Sequence, residues 1–332
     1  MLDSEASRPL ITCIGEILVD FLPMDEDGRT VGFRMHPGGS LLNVAVATAR
    51  LGGRSALMTK TGSDFFGRYL RAYVEGEGID TRWLSQTVAP SALGFVAFPA
   101  GEPEFTFYGE DTADTRLTLD DLSDELATET AILHVGSISL LRGSTPATVI
   151  AACRRMRGQA LLSLDPNLRP ALVRDETGYR ATLEALIGLV DVVKVSAVDL
   201  AWLAPGRGVA DVAIELLDRG PALVAVTLGG AGVLAARRTA HGTTTTTVPG
   251  FEVTVADTVG AGDSFDGALL TRLAESGVTS RAALEGLPES QLATILRFAV
   301  AVAALDCTRP GADPPRRAEV DAFLARSVGA PR

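Results

Sequence analysis

The run Asp257-Thr258-Val259-Gly260-Ala261-Gly262-Asp263-Ser264-Phe265 carries the strongest chemical signal in the chain. Small residues precede an acid, and Phe265, Ala268, Leu269 and Leu273 then fall on one face of a helix that begins there. Uncovered backbone N–H groups at such a helix start can hold an anion against the positive end of the helix dipole. A carboxylate at Asp263 would stay ionised in that field and could take the proton of a hydroxyl attacking a bound phosphoryl group. The same residues suit a plain helix cap, and read in isolation they favour it, because aspartate caps helices and glycine is common in turns.

A second run, Pro37-Gly38-Gly39-Ser40-Leu41-Leu42-Asn43-Val44-Ala45, sets two glycines before a helix with Asn43 in its first turn. Glycines admit a ligand to the backbone, and an asparagine offers donor and acceptor to a sugar hydroxyl; the alternative is a glycine turn with an incidental asparagine. Asp20 sits in the apolar stretch Ile17-Leu18-Val19-Asp20-Phe21, where an unpaired carboxylate is costly. A sugar diol would pair it, and a strand-end acid facing water is the plain alternative. Thr227-Leu228-Gly229-Gly230-Ala231-Gly232 ends one apolar strand and leads straight into another. Lacking the helix that a dinucleotide fingerprint requires, it reads as a strand-turn-strand bordering a nucleotide. No P-loop, protein-kinase catalytic loop, Gly-x-Ser-x-Gly elbow or paired-histidine zinc motif is present, so any phosphate chemistry uses another cradle.

Short apolar runs at residues 11–14, 56–59, 132–135, 161–164, 190–195 and 223–227 read as strands, several apolar on both faces as in a buried parallel sheet. Segments 41–51, 66–76, 146–157, 177–189 and 209–218 have helical period and supply the crossovers, which makes the fold α/β in three layers. Residues 18–23 with 32–36, and 93–98 with 105–108, form no βαβ unit. They are expected as a small sheet covering the carboxyl edge of the large one, a lid of about 16–36 and 92–109 inserted into one domain of 1–332, with a peripheral hairpin of no catalytic use as the equal alternative. Residues 262–273, 291–305 and 319–326 are expected as helices, and the threonine run 243–247 as an exposed strand.

Composition narrows the partners. The 332 residues, 46% hydrophobic and 21% charged, describe a folded globular chain, and a net charge of -11 offers no basic field for nucleic acid. The polar, acid-bearing start lacks the features of a signal peptide, and no apolar run approaches the roughly 20 residues of a membrane span. A cytoplasmic protein is expected, with Cys13, Cys153 and Cys307 as small residues of a reduced core.

Taken together, Gly38-Gly39 with Asn43 and the run from Asp257 to Asp263 resemble the two signatures of the ribokinase-like (PfkB) carbohydrate kinases. The likeness also passes through Asp165-Pro166-Asn167-Leu168-Arg169, Lys194-Val195-Ser196 and the 227–232 glycine cluster. It implies transfer of the ATP γ-phosphoryl group to a sugar hydroxyl, with Asp263 as base and Gly260, Ala261 and Gly262 lining the anion hole. Asp20, Gly38, Gly39, Asn43, Tyr108 and Arg169 would hold the sugar. Thr227, Gly229 and Gly232 would border ATP, and Lys194 and Ser196 would lie near its phosphates. Magnesium would accompany the nucleotide with Asp199 as an indirect ligand, and a potassium ion would sit at Asp257, the Val259 carbonyl and Gly311. Lids in such proteins pair between subunits, so a homodimer is expected.

Within the family, Asp165-Pro166-Asn167 with Arg169, and Phe105-Thr106-Phe107-Tyr108, look most like fructokinases and 2-keto-3-deoxygluconate kinases. Fructose, phosphorylated to fructose 6-phosphate, is the first expectation. The chain departs from the pattern at Gly109, where an arginine commonly follows the tyrosine, and at Asp199, where glutamate is usual. An acidic sugar would lose a carboxylate partner at Gly109. Ribose or a nucleoside is the alternative within the fold, and a non-catalytic sugar or nucleotide sensor the alternative outside enzymes.

Overall fold

A computed structural model describes residues 8–27, 29–97 and 104–328. The chain opens with β1 (Leu10–Ile14), β2 (Leu18–Glu26), β3 (Arg29–Gly38), α1 (Ser40–Arg50), β4 (Arg54–Gly62), α2 (Phe65–Gly76), β5 (Leu84–Thr87), β6 (Ala92–Ala97) and β7 (Glu104–Tyr108). Next come α3 (Asp124–Glu129), β8 (Thr130–Gly136), α4 (Thr145–Met156), β9 (Leu161–Asp165), α5 (Glu176–Ile187), β10 (Val192–Ser196), α6 (Ala197–Leu203), α7 (Val209–Asp218) and β11 (Leu223–Thr227). The hairpin β12 (Val233–Thr239) and β13 (Gly242–Val248) leads to α8 (Ala261–Glu275), α9 (Arg281–Glu285), α10 (Glu289–Asp306) and α11 (Arg317–Val328). Phe98, the last residue of the lid strand expected from Leu93, lies outside the described residues, as do 1–7 and 329–332 of the expected domain.

Nine strands form one sheet in the order β13-β12-β11-β10-β9-β8-β1-β4-β5. The pairs from β11 to β5 are all parallel, and β12 and β13 close one edge antiparallel. Alternation along each strand feeds two cores. Leu161, Val192, Leu223 and Ala225 pack with α1, α2, α8 and α10 on one face. Leu162, Leu164, Val193, Val195, Val224 and Val226 pack with α4, α5 and α7 on the other. This two-sided burial is why the strands read as near-continuous apolar runs, and it gives the α/β/α layering expected from the sequence.

β2, β3, β6 and β7 form a separate four-stranded sheet in the order β3-β2-β6-β7. Phe21, Phe33, Phe95 and Tyr108 cluster on it, with Phe21 and Phe95 stacked at 4.5 Å and 8°. The sheet is tied to the large domain by Phe21 against Phe66 of α2 and by Tyr69 Oη, which donates to the Met35 carbonyl at 3.3 Å. The threonine run is β13, on the edge of the large sheet, with its side chains mostly exposed. Cys13 and Cys153 lie in the core, whereas Cys307, expected there too, is half-buried just past the end of α10.

Candidate active site

Asp263 occupies the first turn of α8 and is 6% exposed. The helix starts at Gly260, whose φ of 82° is in the left-handed region; a Cβ there would lie 2.5 Å from that of Ala312. Only glycine fits both demands. Ser264 N donates to Gly260 O at 2.8 Å and Ala261 N to Thr258 O at 3.4 Å. The amides of Gly262 and Asp263 donate to no acceptor among the described residues, so two N–H groups stay open at the positive end of the helix.

Asp257 fixes the approach to this turn. Its Oδ1 accepts from Thr258 N at 2.7 Å and Val259 N at 3.1 Å, and its Oδ2 accepts from Gly311 N at 2.8 Å. One carboxylate therefore ties the 257–259 loop to the 311 loop, bringing Asp257, Val259 and Gly311 together. Among the described residues no three His, Cys, Asp or Glu side chains gather as a metal cluster.

Three donors converge on Asp263. Ser40 Oγ donates to Oδ1 at 2.6 Å, Asn43 Nδ2 to Oδ2 at 2.8 Å, and Asn167 Nδ2 to Oδ1 at 3.3 Å. Ser40 and Asn43 are three residues apart on α1, hence on one helix face. Gly39 starts α1 with φ 107°, and a Cβ there would lie 2.9 Å from the Glu16 carbonyl. Burial pushes the Asp263 carboxyl above its ordinary range, while the Ser40 and Asn43 hydrogen bonds and the charge of Lys194 pull it back.

Lys194 and Ser196, expected near phosphates, take different positions. Lys194 is buried beneath α8, its Nζ donating to Asp165 Oδ2 at 2.7 Å and lying 3.4 Å from Asp266 Oδ2. Burial opposes its charge, and the two carboxylates outweigh burial and keep it protonated. A Cβ on Gly262 would come within 2.8 Å of that ammonium, so the cation abuts the open turn from below. Ser196 caps α6, its Oγ accepting from Asp199 N at 3.0 Å. Burial raises the Asp199 carboxyl, with the nearby Asp165 adding to the effect and Ser196 opposing it.

The sugar-facing candidates lie on the lid side. Asp20 of β2 is flanked by two glycines: a Cβ on Gly94 would sit 2.6 Å from its Oδ1, and one on Gly38 would collide with its Oδ2. Its carboxylate accepts no hydrogen bond among the described residues. Burial pushes it up to about 6, opposed by the charge of Arg169. Arg169 donates to Asn167 Oδ1 at 2.7 Å. Tyr108 is 62% exposed on the lid, edge-on to Phe95. Gly109 owes its identity to Phe107, whose ring fills the space a side chain would need.

Thr227 ends β11, and a short 3-10 turn (Gly229–Ala231) follows before β12. Gly229 and Gly232 have φ of 58° and 101°, and a Cβ on Gly229 would meet open space. The strand ends at Ile14, Asp165, Ser196 and Thr227 thus deliver their following residues to one carboxyl edge, where ligands of open parallel sheets bind.

Several participants were given no role of their own from sequence. Glu16, 1% exposed and pushed up to about 7 by burial, accepts from Ser40 N at 3.0 Å and Ser139 N at 3.2 Å. Ser40, Asn167, Asp165 and Asp266 join it. Their partners are far off in sequence, and the one local signal was an acid ending an apolar strand before Pro166-Asn167.

A model of the pfkB family carbohydrate kinase matches residues 8–318. Fructokinase-1 of Zea mays is 39% identical over 324 residues, covering 95% of this chain and 97% of its own. The crystal structure of Xylella fastidiosa fructokinase with bound ATP superposes with a TM-score of 0.88 at 32% identity, covering 96% of this chain and 99% of that one. The fructokinase of Vibrio cholerae O395 in its fructose, ADP and calcium ion bound form gives 0.83 at 32% identity, with 96% and 99% covered. The chain is a phosphotransferase by descent as well as by geometry: it belongs to the pfkB family of carbohydrate kinases.

Proposed function

We propose that the protein is an ATP-dependent fructokinase that converts fructose to fructose 6-phosphate. The observation that carries the chemistry is Asp263, buried and held by three donors beside the open amides of Gly262 and Asp263 itself. As the sugar oxygen bonds to the γ-phosphorus, its proton passes to the Asp263 carboxylate, and the bond to the bridging oxygen breaks to leave ADP. The open amides meet the charge on the transferring group, and the protonated Lys194 below adds to their field. Fructose as the acceptor is supported by relatives that carry that name and by Asp20, a desolvated carboxylate without a hydrogen bond that suits a pair of sugar hydroxyls.

In this reading Gly38, Gly39, Asn43, Tyr108 and Arg169 complete the sugar wall, and Thr227, Gly229, Gly232 and Ser196 border ATP, with Lys194 beneath its phosphates. Magnesium comes with the nucleotide, and Asp199 fits as a partner for its waters because its carboxylate forms no ion pair among the described residues. A potassium ion fits at Asp257, where Oδ2 accepts a single hydrogen bond and keeps a lone pair, with the Val259 carbonyl and Gly311 alongside. Among the described residues no helix is long and apolar enough to cross a membrane. We place the protein in the cytoplasm as a homodimer joined through its lids, and light scattering would test that assembly.

A panel of fructose, ribose, 2-keto-3-deoxygluconate and adenosine in a coupled ADP-release assay tests the substrate. Fructose should give kcat/KM at least about tenfold above the others, a margin within reach of one or two polar contacts. Preference for a nucleoside, or sugar binding without ADP release, would replace the proposal.

A further inference from the structure

The donors on Asp263 are unequally divided. Each carboxylate oxygen has two lone pairs, and Oδ1 receives both Ser40 Oγ and Asn167 Nδ2 while Oδ2 receives Asn43 alone. Oδ1 is therefore saturated by the protein, and Oδ2 keeps one lone pair. Asn167 Nδ2 also donates to Ser40 Oγ at 2.9 Å, and with Ser40 Oγ and Asp263 Oδ1 only 2.6 Å apart the amide is shared between them as a three-centred bond. Its Oδ1 accepts from the Arg169 guanidinium, which fixes the amide orientation, since a flip would set oxygen against carboxylate and NH2 against a cation. Asn167 holds a left-handed φ of 38°, uncommon outside glycine, and its N–H donates to Asp165 Oδ1 at 3.0 Å. Every donor in the series Arg169, Asn167, Ser40 points toward Asp263.

Resting on the kinase reading above, we propose that Ser40 and Asn167 are positioning residues that occupy Oδ1 of Asp263, so that Oδ2 is the oxygen that takes the proton of the sugar hydroxyl. Their hydrogen bonds favour the ionised base, and their polarised series links it to Arg169 on the sugar side. Other ionisable groups also face Asp263: Lys194 and Asp165 from the sheet, Asp266 one turn on, Cys13 and Glu16 from the β1 side, and Asp306 from α10. A kinetic pH limb alone could belong to one of these, so the base itself must be watched.

The experiment compares wild type with Ser40→Ala and Asn167→Gly, the second chosen because glycine accepts the left-handed backbone without strain. The Asp263 γ-carboxyl is titrated by carbon-13 NMR of aspartate-labelled protein, assigned by its loss in Asp263→Asn, beside pH profiles of kcat. Both variants should lower kcat about tenfold, the scale of one hydrogen bond to a charged group. Their acid limb and the γ-carboxyl titration should both move to higher pH, with KM for ATP within about twofold of wild type. Ser40→Thr, which keeps the hydroxyl, should restore the titration. A γ-carboxyl titration unchanged in both variants overturns the proposal. Because that readout needs no turnover, wild type that releases no ADP with any sugar refutes the kinase reading separately.

Discussion

Asp263 and Asp20 are both carboxylates withdrawn from water, and the protein treats them in opposite ways. Asp263, on the floor, has three donors and an ammonium nearby, supplied by α1, β10 and the loop after β9. Asp20, on the four-stranded sheet, faces two glycines, and among the described residues the charge of Arg169 alone steadies it. A buried carboxylate without hydrogen bonds is destabilising, and one that persists at a site is reserved for a ligand. On the proposed function, the Asp263 side is thus assembled before substrate arrives, whereas the Asp20 side is completed by it. Chemistry should be sensitive to changes below and recognition to changes above.

The largest effect expected from this contrast is at the floor. Asp263→Asn should lower kcat by about 10²–10⁴-fold, the usual contribution of a general base, with the thermal midpoint shifted by no more than a few degrees. Steady-state kinetics and calorimetry on one preparation check both halves, and full turnover in the variant would remove Asp263 from the mechanism.

A lid change should act on KM instead. Gly94→Ala crowds Oδ1 of Asp20 and should raise the sugar KM about tenfold while leaving the ATP KM in place, in keeping with the cost of overpacking. In wild type the sugar KM should also climb as pH falls through about 6, where Asp20 takes up a proton, and Asp20→Asn should abolish that limb. A pH-independent sugar KM between 5 and 7 would dissolve the contrast.

The smallest expected effect concerns stability. Burial pushes Asp306 up to about 7, opposed by Ser264 and by Asp313 N, which donates to it at 3.1 Å. A carboxyl whose folded-state pKa lies above its unfolded value binds protons on folding. Stability is then greatest below that value and declines as pH rises through about 7. Glu16 and Asp114, pushed to about 7 and about 6, act in the same direction. Asp64, Asp80 and Glu77 are lowered by their partners and lose their contribution only in acid, as pH falls below the ordinary carboxylate range. Asp306→Asn should therefore raise the midpoint relative to wild type at both pH 5.5 and pH 8, by about 2 °C more at pH 8, as read by differential scanning fluorimetry.

What could be read from the chain follows the same division. The anion-hole turn was legible because its residues are contiguous and glycine at 260 is demanded locally by a left-handed backbone. The strands of the large sheet were legible because each is apolar on both faces. β5, α3 and α6, of four, six and seven residues, are too short to show a period, and tertiary contacts hold them in place. Ser40 stands 223 residues from its partner and Asn167 stands 96 from it, so their runs are recognisable as motifs while the contact with Asp263 is not. The place of Lys194 near phosphates rests on the family likeness, and no local feature of the sequence foretells that Asp165 and Asp266 enclose its ammonium. Position in sequence reveals a motif, but a charge cluster becomes visible only when the sheet gathers it.

The stapling of two loops by Asp257 has a consequence for motion. Because the same carboxylate receives Thr258, Val259 and Gly311, none of those amides can be released without loosening the shared anchor. The loops before α8 and after α10 are expected to open as one unit, their amides exchanging with solvent deuterium at a common free energy. Entry and departure of a nucleotide would then be timed by a single local event that frees both sides of the turn together.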